Sequence, residues 1–129
     1  MSATVLIVDD DPVVRDMYTL ALQRDGHAVV TAADGVAGLD LASRRRPKVI
    51  LLDVRMPRLD GLEMLRQVTA NPDLHEIPVV MLSNFDDPAL MRQSLSLGAK
   101  EYLLKVSTDP RKLRETVTRW VDGSGDTSG

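Results

Sequence analysis

Five short apolar runs recur along the chain, and they constrain its fold more than any other feature. They occupy residues 5–8, 28–31, 49–52, 79–82 and 102–104. Most are continuous, and several are rich in Val and Ile. A strand with one solvated face alternates apolar and polar residues, whereas a strand covered on both faces has no need to. The runs therefore predict strands of a parallel sheet sandwiched between helices.

The segments between the runs carry helical period. Val13, Met17, Leu20 and Ala21 share one face of the first; Leu62, Leu65 and Val68 do so in the third; Leu113, Val117, Trp120 and Val121 do so in the last. Helix starts are legible too. Asp11 can cap a helix opening with Pro12, Asp109 one opening with Pro110, and Asp60 and Glu63 have capping-box spacing. Gly98 suits the end of the fourth helix. The reading is α/β, a doubly wound (βα)₅ unit with a five-stranded parallel sheet in the order 2-1-3-4-5. At 129 residues the chain has room for one domain with a real core. Residues 1–122 are assigned to that domain, and 123–129 (GSGDTSG) read as a flexible tail or the start of a linker.

Composition narrows the function. A net charge of −3 and a pI near 5.3 argue against a general grip on nucleic acid. The absence of cysteine removes disulfides, thiol catalysis and cysteine metal sites. The first apolar run lacks the length and basic start of a signal peptide, and none is long enough to span a membrane, so a cytoplasmic setting is expected.

In open α/β sheets, ligands bind at the carboxyl ends of the strands. Asp9 and Asp10 follow the first run, Asp53 the third, Ser83 the fourth and Lys105 the fifth. The second is followed by Thr31, Ala32 and Ala33, which offer little chemistry and suit an edge strand. Clustered carboxylates either take up protons or bind a cation. Oxygen donors without His or Cys favour Mg²⁺, which retains several waters. Lys105 is then a point charge aimed at phosphoryl oxygens, Ser83 a hydrogen-bond donor to another, and Asp53 a candidate nucleophile toward phosphorus.

Taken in order, Val-Leu-Ile-Val-Asp9-Asp10-Asp11-Pro12, Leu-Leu-Asp53-Val-Arg-Met-Pro57-Arg-Leu-Asp60-Gly61, Met-Leu-Ser83 and Gly98-Ala99-Lys-Glu-Tyr102-Leu-Leu-Lys105 resemble the motifs of CheY-like response-regulator receiver domains. The resemblance covers roughly residues 4–122. It implies a two-component phosphorelay regulator in which Asp53 accepts a phosphoryl group from a histidine kinase or phosphotransfer protein. It implies that Asp10, Asp53 and the Arg55 carbonyl bind Mg²⁺, that Asp9 acts through a metal-bound water, and that Ser83 and Lys105 hold phosphoryl oxygens. Tyr102 resembles the aromatic whose ring turns inward when Ser83 moves toward the phosphoryl group. The signal would then reach a downstream protein through the face made by the fourth helix, fifth strand and fifth helix. Such a protein promotes only its own phosphotransfer and dephosphorylation and is no enzyme in the usual sense. No direct nucleic-acid or membrane contact is implied, and the state would be a monomer or weak homodimer.

The chain departs from the family pattern in places. Lys105 is followed by Val106 instead of proline; a cis bond there would cost roughly 2.5–4 kcal/mol, so a trans bond and an altered loop are expected. Asn84 replaces a small residue and narrows the pocket. Arg55 and Phe85 sit at positions that vary with phosphoryl lifetime, and we expect slow autodephosphorylation; a lifetime of seconds would contradict this.

Simpler readings stand beside these. Asp9 and Asp10 could form a solvated turn and helix cap, Ser83 a helix cap (though Asp86 or Asp87 serve better), and Tyr102 a half-buried strand aromatic. Pro57, Asp60 and Gly61 read as structural. Arg44-Arg45-Arg46-Pro47-Lys48 reads as a solvated helix end, and His27 and His75 as surface residues. A flavin or nucleotide carrier would place Gly- or Ser/Thr-rich loops where this chain has aspartates, and an aspartyl phosphatase would need an acid where Arg55 stands. A receiver-like interaction module that works without phosphorylation, or a receiver excised from a hybrid kinase or transcription factor, remains the alternative.

Overall fold

The structure, a computed structural model, describes residues 3–56 and 59–123. Along them run β1 (Thr4–Val8), α1 (Pro12–Gln23), β2 (Ala28–Ala32), α2 (Gly35–Arg45), β3 (Val49–Asp53), α3 (Gly61–Ala70), β4 (Val79–Ser83), α4 (Pro88–Ser96), β5 (Glu101–Leu104), one 3₁₀ turn (Lys105–Ser107) and α5 (Pro110–Val121). The five strands form one parallel sheet in the order β2-β1-β3-β4-β5, as expected. Pro57 and residues 124–129 of the expected tail lie outside the described residues.

The continuous apolar runs are explained by two cores, one on each face of the sheet. Leu6, Val8, Ile50, Leu52, Val79 and Met81 point to one side, where Ala42 of α2, Met64, Leu65 and Val68 of α3 and Leu90 of α4 meet them. Val5, Ile7, Val49, Leu51, Val80 and Leu82 point to the other, against Tyr18 and Leu22 of α1 and Leu113 and Val117 of α5. Successive residues of these runs thus enter opposite cores, which keeps them apolar until β3 and β4 end at Asp53 and Ser83. β2 and β5, at the edges, are partly exposed.

Each helix opens on an aspartate whose carboxylate accepts a backbone N–H of the first turn. Asp11 takes Val13, Asp34 takes Ala37, Asp60 takes Glu63, Asp87 takes Ala89 and Leu90, and Asp109 takes Lys112. Proline at the first helical position follows in α1, α4 and α5. Such a cap contributes about 1 kcal/mol. Gly98, at φ 112°, closes α4 as its position suggested. Among the described residues no peptide bond is cis, and Lys105–Val106 is a trans bond inside the 3₁₀ turn. The basic run ends α2 on the surface, with Arg44 paired to Asp40 at 2.7 Å.

Two expectations are corrected. The face shared by Val13, Met17 and Leu20 is not the buried face of α1: these residues are 71%, 41% and 66% exposed, while Tyr18, Ala21 and Leu22 face the core. The helix carries apolar residues at 13, 14, 17, 18, 20, 21 and 22, a band too wide for period alone to choose its inner edge. His27 is likewise not on the surface. It is 7% exposed, tucked where α1 ends and β2 begins, with its N–H donated to the Leu22 carbonyl. A lack of polar neighbours in sequence said nothing about burial there. His75 is exposed as expected.

Candidate functional site

Parallel pairing brings the carboxyl ends of β1, β3, β4 and β5 to one edge of the sheet. Asp9 follows β1 directly. Its N–H is donated to the Ala32 carbonyl of β2, its Oδ1 accepts the Asp11 N–H at 2.9 Å, and its carbonyl accepts the Arg15 guanidinium at 2.7 Å. Asp53 is the last residue of β3, and the chain beyond it is held closely. The Gly61 N–H is donated to the Val54 carbonyl at 2.9 Å, and a Cβ at Gly61 would come within 2.0 Å of the Asp53 carbonyl oxygen. Gly61 is thus the residue that lets α3 start against the end of β3.

Asp9 and Asp53 are buried, whereas Asp10 is exposed. One carboxylate oxygen from each lies within 4.8 Å of the others. Lys105 Nζ reaches into this group, 2.7 Å from Asp9 Oδ2 and 3.3 Å from Asp53 Oδ1. Burial, reinforced by the negative charge of Asp9, pushes the Asp53 carboxyl up to about 7; the Lys105 charge and hydrogen bond partly offset this. Burial would lower the Lys105 ammonium, but the hydrogen bond to Asp9 and the charges of Asp53 and Asp9 outweigh it and hold it above its ordinary value. Three carboxylates thus face one ammonium, and the deficit falls on Asp53. The donors are all oxygen. This set fits a hard divalent cation such as Mg²⁺.

Ser83 ends β4, one position beyond Leu82, the residue paired with Asp53. It is buried, and its Oγ accepts the Phe85 N–H at 2.9 Å. Helix capping of α4 falls to Asp87, so that simpler role for Ser83 does not apply.

Comparison with known proteins places this arrangement. The family described as "Response regulator receiver domain" matches residues 5–118. The chain belongs to the response-regulator receiver domains. It is 40% identical over 119 residues to Response regulator MprA of Mycobacterium sp. (strain KMS), covering 92% of this chain and 49% of that protein. Response regulator MprA of Mycobacterium tuberculosis is similar to the same extent, 40% over 119 residues. This receiver domain therefore spans about half the length of the curated relatives it matches. Among solved structures, chemotaxis response regulator CheY4 of Vibrio cholerae superposes with a TM-score of 0.86 at 34% identity, over 93% of this chain and 99% of that one. A CheY-like receiver domain protein from Methanospirillum hungatei does so with a TM-score of 0.87 at 26% identity, over 100% of both chains.

Two loops frame the receiver site. From the β3–α3 loop, Arg55 lays its guanidinium over the Phe85 ring of the β4–α4 loop, with Cζ 5.1 Å from the ring centroid. The Phe85 carbonyl accepts the Tyr102 hydroxyl at 2.8 Å. Tyr102 is half-buried, its ring packed at the edge of the core that α2, α3 and α4 cover. Residue 85 thus joins Ser83 through its N–H, Tyr102 through its carbonyl and Arg55 through its ring.

Tyr18 was missed as a neighbour of the site. It is buried under α1, and its phenol feels Lys105, Asp9 and Asp53; burial is the main cause that raises it above its ordinary value. No sequence signal marks it, because its proximity arises from α1 folding back across the sheet.

Proposed function

We propose that this receiver domain accepts a phosphoryl group on Asp53 from a histidine kinase or phosphotransfer protein, in a Mg²⁺-dependent reaction. The observation that carries the reading is the position of Lys105 Nζ between Asp9 and Asp53, at the edge of the cluster of Asp9, Asp10 and Asp53. An Asp53 oxygen bonds to phosphorus while the phosphorus–nitrogen bond to the donor imidazole breaks, and the imidazole leaves with the electron pair. Lys105 neutralises charge on one phosphoryl oxygen and Ser83 donates its hydroxyl to another. Asp10, Asp53 and the Arg55 carbonyl would hold Mg²⁺, with Asp9 acting through water, and the ion would neutralise charge on the phosphoryl oxygens. Its charge would also favour the ionised form of Asp53, which a nucleophile must be.

In this reading Ser83 moves toward a phosphoryl oxygen and its contact with the Phe85 N–H loosens. That change passes to Tyr102 through the Phe85 carbonyl, and from there to the face of α4, β5 and α5, where a downstream protein would read it. Ser83 and Tyr102 are the switch pair in this reading, which is a two-state population shift.

The protein donor must present its phosphoryl group at the mouth of the site. α1 starts there, and its exposed Val13, Met17 and Leu20 form an apolar strip suited to contact with such a partner. Among the described residues no helix is long and apolar enough to cross a membrane. We place the domain in the cytoplasm, acting through protein contacts and not as an enzyme on other substrates, with no direct grip on nucleic acid and as a monomer or weak homodimer.

Intact mass after incubation with acetyl phosphate and Mg²⁺ tests the proposal. One added phosphoryl group, lost in Asp53→Asn and lost without Mg²⁺, supports it. No gain from either acetyl phosphate or a phosphorylated kinase would establish a phosphorylation-independent interaction module instead.

A further inference from the structure

The two faces of the sheet deliver different groups to the site. Val5 and Ile7 of β1, Val49 and Leu51 of β3 and Leu103 of β5 face the core that α1 and α5 cover. Side chains alternate across a strand. Asp9, Asp53 and Lys105 each stand two residues beyond one of these, so the charged groups continue that core at its carboxyl edge. Ser83 stands two residues beyond Met81 and belongs with Tyr102 to the opposite face. Tyr18 is buried in the α1–α5 core, only 1% exposed. Helical side chains lean toward the helix N-terminus, and α1 begins at Pro12, just after Asp9 and Asp10. Tyr18 lies roughly 9 Å further along the axis, at 1.5 Å per residue, and its long ring leans back over much of that distance. The phenol accordingly feels the charges of Lys105, Asp9 and Asp53. Among the described residues its hydroxyl has no hydrogen-bond partner. A hydrogen-bond donor without an acceptor thus stands beneath an ion pair in which one ammonium serves two carboxylates, Asp9 Oδ2 at 2.7 Å and Asp53 Oδ1 at 3.3 Å.

We propose that Tyr18 is a positioning residue of the acceptor site, whose phenol donates its hydroxyl to the Asp9 carboxylate as Lys105 leaves it for the phosphoryl group. This rests on the acceptor role proposed for Asp53 and adds a residue that acts without touching the phosphoryl group. A phosphoryl group on Asp53 draws the ammonium away from Asp9 and uncovers a buried carboxylate oxygen. A buried acceptor left without a donor is costly. The phenol supplies that donor from the same face of the sheet, so Lys105 can move at little cost. Phenylalanine at position 18 would fill the same space and leave Asp9 unsatisfied.

The test uses the full chain with Mg²⁺ and acetyl phosphate, with uptake followed by intact mass. Tyr18→Phe should take up the phosphoryl group about tenfold more slowly than wild type, the loss of one hydrogen bond to a charged group. A second readout separates this role from packing. The chain has two tyrosines, so tyrosine labelled with ¹³C at the hydroxyl-bearing ring carbon gives two NMR signals, which Tyr18→Phe assigns. The Tyr18 signal should move when the wild type is phosphorylated. It should move in the same direction in unmodified Lys105→Met, where Asp9 has lost the ammonium and is open to the phenol. Wild-type uptake in Tyr18→Phe overturns the proposal. So does a Tyr18 signal that stays in place in both the phosphoprotein and Lys105→Met, since the ring would then only pack. If the wild-type mass never rises, the acceptor role of Asp53 has failed, and the Lys105→Met signal still decides whether the phenol reaches Asp9.

Discussion

Lys105 Nζ lies 2.7 Å from Asp9 Oδ2, nearer than its 3.3 Å approach to Asp53 Oδ1. The lysine is anchored by the carboxylate of β1 and offered to the carboxylate of β3. Asp9 therefore has a role before any cation binds: it keeps the ammonium at the site and, by its own charge, raises Asp53.

Replacing Lys105 with Met should expose this arrangement. The side chain is largely buried, so its removal leaves two buried carboxylates without their counter-charge. Phosphoryl uptake from acetyl phosphate should fall by about 10²–10³, the usual effect of removing one preorganised charge-stabilising group. Retention of wild-type uptake kinetics would show that Lys105 only packs.

Asp53 gives the protein without divalent ions an unusual pH dependence. Its folded-state value near 7 stands above the ordinary 3.8, so the folded state holds a proton that the unfolded state has released. The stability contributed by this group is present below pH 3.8 and is lost as pH rises from there through about 7. Thermal melts in EDTA from pH 5 to 8 should show a falling contribution that Asp53→Asn removes. Mg²⁺ should raise the melting temperature most at the upper end of that range. A wild type and Asp53→Asn with parallel profiles would refute this.

Gly61 should tolerate no side chain. Its Cβ would meet the Asp53 carbonyl oxygen at 2.0 Å and backbone atoms at 2.9 Å, and none of these can move without displacing β3. Gly61→Ala should cost about 3 kcal/mol in urea unfolding, the upper end of ordinary overpacking. Loss of less than about 0.5 kcal/mol, the range of surface substitutions, would mean that the loop relaxes freely.

The exposed strip on α1 should distinguish protein donors from small ones. Leu20→Glu places a charge in an apolar contact surface. The ratio of phosphotransfer from a kinase to uptake from acetyl phosphate should fall about tenfold, which corresponds to 1.4 kcal/mol of lost contact. An unchanged ratio would remove α1 from the docking surface.

The sheet was legible because buried parallel strands must be apolar on both faces, and the strand ends were legible because polar residues there interrupt that pattern. The runs at 5–8, 49–52 and 79–82 were recognised for this reason. Helix starts were legible through Asp caps and Pro, whose effect is local. The inner face of α1 was not, because seven apolar residues within one short helix offer more than one stripe. His27 was misplaced because burial at an element junction depends on what packs over it. Asp53 and Lys105 were legible as residue types at strand ends, whereas the ordering of Lys105 toward Asp9 was not.

The sequence by itself determined the element order, the parallel sheet, the caps and the set of groups delivered to the strand ends, since each follows from local propensity and from the apolarity that two-sided burial demands. Only the tertiary structure decided how those groups are weighted. Burial and the charge of Asp9 raise Asp53, Arg55 rests on Phe85, and one residue of the β4–α4 loop joins Ser83 to Tyr102. These relationships depend on distances between loops far apart in the chain, and electrostatic and hydrogen-bond energies are decided by distance and burial, not by spacing along the sequence.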